Sequence, residues 1–505
     1  MKRIIYAIFA VFAFAIGVSA QPLQAQNEQV NMFTLRKLVK ETPEQKEKIL
    51  TQANQILSQV DENRLFISQA SQLAEMLYDA GIYLENAEVF AKKGVDACNL
   101  DKFLESSKRI FKQNNANEQS DSAITQEFWS YKARLQSVLG RIELKLGKVS
   151  AAENALKESF KLNKMNTATA LSLSEIFEKK SDTKTAFDYL IPAVFSTGVP
   201  KTLMEKLESL YQTNHGGKLD GLEDYLDKKY HEVFPFQVES YKTSAKRTNR
   251  TVLAELFSGS GCAPCVSVDL AYDGILRRYN RDDVAVLVYH VHNPRPDPMA
   301  NAETTLRSEF YGVRGVPAIA FDGNYNNFGI GSNDWEKAKF RYDDFTAKID
   351  KELEVAPDAD LKLNAVKTGS NIQVKATVEN IKKPSENLKL HIILAEDLIR
   401  YKGENGIRYH PFVVRSMATP DAKGLGVDAA KPNTFEYNFD LVKISEGLRV
   451  YLDEFEKNPP KEFKYGGPQF QQKLYSVNEN NLTVVAFVQD EKTKQILQTA
   501  FFKVK

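Results

Sequence analysis

The chain has 505 residues, enough for three or four domains, and an ordinary globular composition of 43% hydrophobic and 26% charged residues. Lys and Arg number 67 against 66 Asp and Glu, a net charge of +1 with no long basic tract, which argues against a nucleic-acid partner recognised by charge. Three cysteines in a chain of this size exclude a disulfide scaffold.

The N-terminus reads as an address. Lys2 and Arg3 precede an apolar run, Ile4 to Val18, that is too short to span a bilayer, and Val18-Ser19-Ala20 offers a small-residue cleavage site. A signal peptide over 1–20 is expected, with Gln21 as the mature start and export to the periplasm or cell envelope, or secretion. No later stretch is apolar enough for a transmembrane segment. No Cys follows the cleavage site, so no lipid anchor is expected, and disulfide chemistry is permitted in such a compartment.

Residues 21–231 form one region: 21–42 read as polar and irregular, and from Pro43 the pattern is helical and repeats. A shift of 34 residues pairs Leu139 with Leu173, Gly140 with Ser174, Ile142 with Ile176, Ala152 with Ala186 and Leu156 with Leu190. A further copy lies 66 residues upstream, where Leu73, Ala74 and Gly81 match Leu139, Gly140 and Gly147. Small residues at this period let paired helices approach and turn tightly, and the pattern resembles tetratricopeptide repeats. That resemblance implies an α-helical solenoid whose groove takes a partner protein or peptide; the alternative is a helical spacer. Cys98, at the end of a helical segment, is either a small buried hydrophobe or a reactive thiol.

Residues 232–354 carry the chemistry. Val252 to Phe257 reads as a buried strand, followed by a Gly/Ser loop and Cys262-Ala263-Pro264-Cys265. Apolar residues at Val268, Ala271, Tyr272, Ile275, Leu276 and Tyr279 then mark one face of a helix. Cys262 thus sits at the mouth of a helix, where free N–H groups and the dipole favour a thiolate, and becomes the nucleophile. Cys265, on the same side of the first turn, can attack a mixed disulfide at Cys262. Pro264 suits a first turn, having no N–H to lose. The pair could instead bind zinc with His290 and His292 as further ligands, although a structural zinc site usually takes two cysteine pairs. No metal and no cofactor is expected beyond the cysteine pair itself.

Strand, CAPC and helix, joined by the later segment YGVRGVPA (Tyr311 to Ala318), resemble the thioredoxin superfamily. The resemblance implies an α/β fold in which Pro317 is cis and faces the cysteines. Val316, Gly261 and Pro264 then form the edge met by protein thiol or disulfide substrates. It also implies that Glu255, a carboxylate in an apolar strand, moves the proton of the deeper thiol; the alternative is a strand-edge Glu facing solvent. The chain departs from the family in having Gly261 where Trp is usual, Ala318 where Thr is usual, and an insertion around Asn293 to Asn301. Further elements expected are a strand over Val284 to Val291, a helix over Glu303 to Tyr311 and a strand ending at Phe321. An Asp322-Gly323 hairpin, a strand from Tyr325 to Gly329 and a helix from Asp334 to Leu353 capped by Asn333 follow. His290 and His292 bind metal, tune the thiolate or hydrogen-bond within the inserted loop, which Arg295 and Asp297 are expected to order.

From residue 355 the period switches to two, and six or seven short strands, one of them over Thr434 to Lys443, suggest an immunoglobulin-like sandwich over 355–505. The segment from Arg408, with His410, Arg415, Pro420 and Gly424, resembles one in exported, outer-membrane-protein-related thioredoxin-like chains, which also join CxxC folds to β domains; it carries no chemistry of its own, and the β domain is read as a binding or docking module. The whole is expected to be multidomain: solenoid, thioredoxin-like domain, then sandwich. The functional expectation is an exported thiol–disulfide oxidoreductase, reductive by the resemblance of its Pro264 to the TlpA-like reductases. The alternative is an envelope scaffold whose CxxC is structural or a relic.

Overall fold

The computed structural model describes residues 30–115, 119–326, 331–463 and 470–505. The expected signal peptide and most of the expected strand after Tyr325 lie outside them. Among the described residues eleven helices come first: α1 (Met32–Glu41), α2 (Lys46–Ser58), α3 (Asn63–Asp79), α4 (Leu84–Asp96), α5 (Leu100–Gln113), α6 (Asp121–Lys145), α7 (Val149–Leu162), α8 (Thr167–Lys179), α9 (Thr183–Ala193), α10 (Lys201–Asn214) and α11 (Leu222–Glu232).

The period seen in the sequence falls on the turns of helical hairpins. α3/α4, α6/α7 and α8/α9 are joined at Gly81, Gly147 and Ser181, whose φ values are +69°, +75° and +61°. At each, two backbone N–H groups return to the end of the preceding helix, Ile82 to Leu77 and Gly81 to Tyr78 in the first case. The small residues mark close crossings. A Cβ on Gly140 would lie 2.5 Å from Cγ of Leu156 and 3.0 Å from the Ala152 carbonyl oxygen, so α6 and α7 pack there backbone to side chain.

A mixed-sheet region follows. Its strands are β1 (Val252–Ser258), β2 (Val284–His290), β3 (Ala318–Phe321), β4 (Asn324–Asn326), β5 (Asp360–Thr368), β6 (Asn371–Glu379), β7 (Leu388–Arg400), β8 (Tyr409–Met417), β9 (Leu425–Gly426), β10 (Asn433–Asp440), β11 (Leu482–Asp490) and β12 (Ile496–Lys503). Its helices are α12 (Val266–Arg278), α13 (Ala302–Tyr311), α14 (Lys337–Glu352) and α15 (Leu441–Lys457). The main sheet runs β12-β11-β7-β8-β2-β1-β3-β4, with β9 added to β7. β1 pairs parallel with β2, and β2 parallel with β8; the remaining neighbours are antiparallel.

Alternation decides what each face meets. Val252, Ala254 and Leu256 of β1, with Val284, Val286 and Val288 of β2, pack under α12 and α14. Leu253, Phe257, Ala285, Leu287 and Tyr289 pack against Ile393, Ala395, Val414, Val485 and Phe487 of β7, β8 and β11. The sheet therefore curls over on itself, and the Ile496 N–H donates to the Asp322 carbonyl at 3.2 Å.

Four sequence expectations need correction. The stretch read as irregular up to residue 42 contains α1, which Asn31 starts by accepting the N–H groups of Phe33 and Thr34. The strands expected to form a self-contained sandwich over 355–505 divide between two sheets. β7, β8, β11 and β12 extend the main sheet, and only β10-β6-β5 form a second sheet, which packs on β7 and β11 through Ile372, Val374 and Ala376. The reason is that β11 is buried at all nine positions and β7 without a break from Leu390 to Glu396, leaving no solvated face there of the kind a sandwich strand has. The strand expected to reach Lys443 stops at Asp440, whose carboxylate accepts the N–H groups of Val442 and Lys443 and starts α15. Finally, α14 begins at Lys337 with Glu336 at its N-cap, so Asn333 is not the cap.

The helical region docks on the sheet region. Phe195 and Tyr230 pack with Val266 and Leu270 of α12, with Trp335 and with Ile407. Arg408, 2% exposed, donates to Asp227 at 2.7 Å and to Glu223, both on α11. Two glycines test this packing. Gly140→Val should lower stability by about 1–3 kcal/mol, the usual cost of overpacking a filled crossing. Gly447→Ala, in α15 with open space around it, should raise it by about 1 kcal/mol through helix propensity. Urea midpoints of the two variants against the parent check both signs.

Candidate functional site

β1 runs into the loop Gly259–Gly261, a single 3₁₀ turn (Ala263–Cys265) and α12. A disulfide joins Cys262 to Cys265, with Cα atoms 5.3 Å apart. Both cysteines are 0% exposed, while Pro264 between them is exposed. The glycines before them are dictated by neighbours. A Cβ on Gly259 would lie 2.7 Å from the Asn293 carbonyl oxygen, and one on Gly261 would lie 3.0 Å from Cβ of Arg295. The loop that follows β2 thus fills the space a large side chain at 261 would need. The Val316–Pro317 peptide is cis, and the Val316 carbonyl oxygen lies 3.6 Å from Sγ of Cys262, where a reduced thiol could donate to it. The Pro264 carbonyl accepts from Ser332 N–H at 2.7 Å. Six residues singled out in the sequence (Gly261, Cys262, Pro264, Cys265, Val316 and Pro317) therefore converge.

Glu255 does not join them. It belongs to the face of β1 that carries Leu253 and Phe257, opposite α12. Arg307 of α13 clasps its carboxylate with Nε at 2.9 Å and Nη2 at 3.1 Å, and the Tyr311 hydroxyl donates to it at 2.7 Å. Arg307 also donates to Gln489 of β11 at 2.8 Å. Glu255 and Arg307 are each 0% exposed. The expected proton transfer with the deeper thiol is thus corrected, and so is the solvent-facing alternative: Glu255 anchors α13 and β11 to β1.

The carboxylate on the cysteine side is Asp269, one turn beyond Cys265. Helical side chains lean toward the N-terminus, so Asp269 lies beneath Cys265 on the same face. Its carboxylate accepts from the Ser258 hydroxyl at 2.9 Å. Burial pushes its pKa up to about 7; the Ser258 hydrogen bond and His290 oppose the rise. Asp273, a turn further on, is also pushed up to about 7 by burial. Neither was found from the sequence, although Cys265, Asp269 and Asp273 at i, i+4 and i+8 on a buried helix were a readable signal.

His290 sits opposite Ser258 in the β1–β2 register, with Nδ1 at 3.0 Å from Asp297. Asp297 also accepts from the backbone N–H groups of Ser260 (2.5 Å) and Met299 (2.8 Å). Burial alone would raise its pKa; His290 and these donors outweigh it and hold Asp297 well below the usual carboxylate range. His292 accepts the Asp297 N–H on Nδ1 at 2.9 Å and stacks on Phe455, and burial lowers its pKa to about 4. The two histidines thus bind the inserted loop. Among the described residues no group of three or more His, Cys, Asp or Glu is placed to hold a metal ion, and no helix is long and apolar enough to cross a membrane. Cys98 is a half-buried free thiol 3.4 Å from the Gly94 carbonyl oxygen, pushed up to about 11 by burial.

No protein-family model matches the chain, and no curated protein matches it. Among solved structures, HBP35 of Porphyromonas gingivalis is similar over 52% of this chain and 77% of that chain, with 14% identity and a TM-score of 0.36.

Asp269 gives the site a pH signature. Its folded pKa of about 7 lies above the roughly 3.9 of an unfolded Asp, so its contribution to stability is full below about pH 4 and is lost as pH rises toward 7. Asp269→Asn removes that loss. The stability of Asp269→Asn relative to the parent should rise between pH 5 and pH 8 by on the order of 2 kcal/mol, read from urea midpoints at the two pH values.

Proposed function

We propose that this chain is an exported thiol–disulfide oxidoreductase with a thioredoxin-like site, acting on protein disulfides. The reading rests on the Cys262–Cys265 disulfide at the start of α12, with the Val316 carbonyl edge 3.6 Å from the Cys262 sulfur. In the reduced protein the Cys262 thiolate, favoured by the helix start, attacks a substrate disulfide. One sulfur leaves as a thiolate, takes a proton from water, and a mixed disulfide remains. Cys265 gives its proton to the Asp269 carboxylate and attacks Sγ of Cys262, so the mixed disulfide breaks and the second substrate sulfur leaves, taking up a proton in turn. Two electrons pass from the cysteine pair to the substrate. Asp269 replaces Glu255 in this scheme because it is the carboxylate on the cysteine face. Net reduction is the favoured direction, with Pro264 before the second cysteine as in the TlpA-like reductases. The tetratricopeptide-like helical region selects a protein partner or peptide.

A second reading has its own support. Both sulfurs are fully buried, which suits a structural disulfide in an envelope scaffold. The reduction potential separates the two. A value near about −270 mV fits a reductase and one near about −120 mV an oxidant, whereas a pair still oxidised below about −300 mV is a staple.

Variants sharpen the test. Cys265→Ser should trap a mixed disulfide with substrate on a non-reducing gel, and Cys262→Ser should abolish both trapping and exchange. Glu255→Gln leaves the buried Arg307 without its carboxylate and should cost about 3–5 kcal/mol of stability. Exchange per folded molecule should hold near the parent rate, because Glu255 faces away from the sulfurs.

A further inference from the structure

The loop between β7 and β8, Tyr401–Arg408, lies against the turn that carries the cysteines. Asn405 is 0% exposed. Its N–H donates to the Ser260 carbonyl at 3.0 Å, and its side-chain amide donates to the Gly259 and Cys262 carbonyl oxygens, each at 3.4 Å. A Cβ on Gly403 would lie 2.7 Å from the Ser260 carbonyl oxygen. Glu404 pairs with Arg295 at 3.1 Å, and the Arg295 stem packs over Gly261. The same loop is gripped from behind by the turn that follows α9. The Thr197 hydroxyl donates to the Asn405 carbonyl at 3.0 Å, and Gly198 N–H to the Glu404 carbonyl at 3.5 Å. Gly406, at φ +91°, passes so close to Phe195 that a Cβ would lie 2.1 Å from its carbonyl oxygen. The helical region therefore reaches the redox turn in two ways: by packing on Val266 and Leu270 of α12, and through this short segment held by backbone on both sides.

We propose that Tyr401–Arg408 is a strap through which the helical region controls access to the Cys262–Cys265 pair: displacing the turn after α9 releases Asn405 from the carbonyls of Gly259 and Cys262 and opens the buried sulfurs. The proposal deepens the oxidoreductase reading and rests on it for its purpose, but not for its test. Coupling of this kind is reciprocal, so reduction of the pair changes the docking of α9–α11 by the same free energy.

The test uses the full mature chain and a trialkylphosphine. Phosphorus attacks one sulfur, the S–S bond breaks, water oxygen ends on phosphorus as the oxide, and both cysteines become thiols. The rate reports access to the disulfide without any substrate protein. Thr197→Val, which removes the hydroxyl donor to Asn405 and leaves the longer Gly198 N–H contact, should speed reduction about 5-fold or more at an unchanged unfolding midpoint. Thr197→Ser should restore the parent rate, and Glu404→Gln should act in the same direction as Thr197→Val. Asn405→Ala should have the largest effect; if it does not fold, Thr197→Val decides. Parent-like rates in both Thr197→Val and Glu404→Gln would overturn the strap. Faster reduction in these variants, with no exchange of protein disulfides by any form, would keep the strap and remove the oxidoreductase reading.

Discussion

Strand β1 is buried at all seven of its positions, between α12 and α14 on one side and the curled-over half of the sheet on the other. A strand in that position cannot leave a polar side chain to water, so each one must be partnered inside the protein. Glu255 meets this demand with Arg307 and Tyr311, and Ser258 meets it with Asp269. The two solutions fall on opposite faces because successive side chains alternate. One clamps α13 to the sheet, and the other ties the end of β1 to the first turn of α12, just past the cysteines. The candidate chemistry and the integrity of the core are set by the same seven residues.

The site is assembled from a tight local piece and several distant ones. Gly259 to Cys265 forms its turn within a few residues, but its surroundings come from the loop after β2, the segment around Val316 and the β7–β8 loop. Asp297 ties the first of these down through Ser260, and Asn405 ties the last through Gly259, Ser260 and Cys262. The loop at the cysteines is short of side chains because its neighbours occupy the space where they would stand.

Much of this was readable in the sequence where the signal is local. The 34-residue period appears as a left-handed turn at Gly147 and again at Ser181. The CAPC motif lies between a buried strand and a helix, and Tyr311 to Ala318 brings Val316 to Cys262. What the sequence concealed was the identity of partners. The two-residue period read over 355–505 did not show that β7 and β11 are covered on both faces, by the β1–β2 half of the main sheet on one and by β6 on the other. Glu255 was conspicuous, yet its partner Arg307 lies 52 residues away on a helix whose facing no spacing rule supplies. Asp269 was overlooked because it lies beside an apolar stripe and reads as the polar edge of an amphipathic helix. The segment from Arg408 carried no derivable chemistry as sequence; in the fold it becomes β8, the strand that joins the two halves of the sheet.

That strand has a consequence for how the chain can be made and cut. β1 and β2 are complete by residue 290, yet the outer edge of β2 and the face bearing Leu253, Phe257 and Leu287 stay open until residues 388–503 arrive to cover them. During synthesis the nascent centre exposes an unpaired parallel edge beside an apolar surface, the arrangement most prone to pairing with a neighbouring chain. Pairing β2 with β8 across that separation also closes a long loop, which slows folding. The C-terminal third is for this reason not an appendage: a chain ending near residue 355 would keep both cysteines and lose the protein that hides the other side of their sheet.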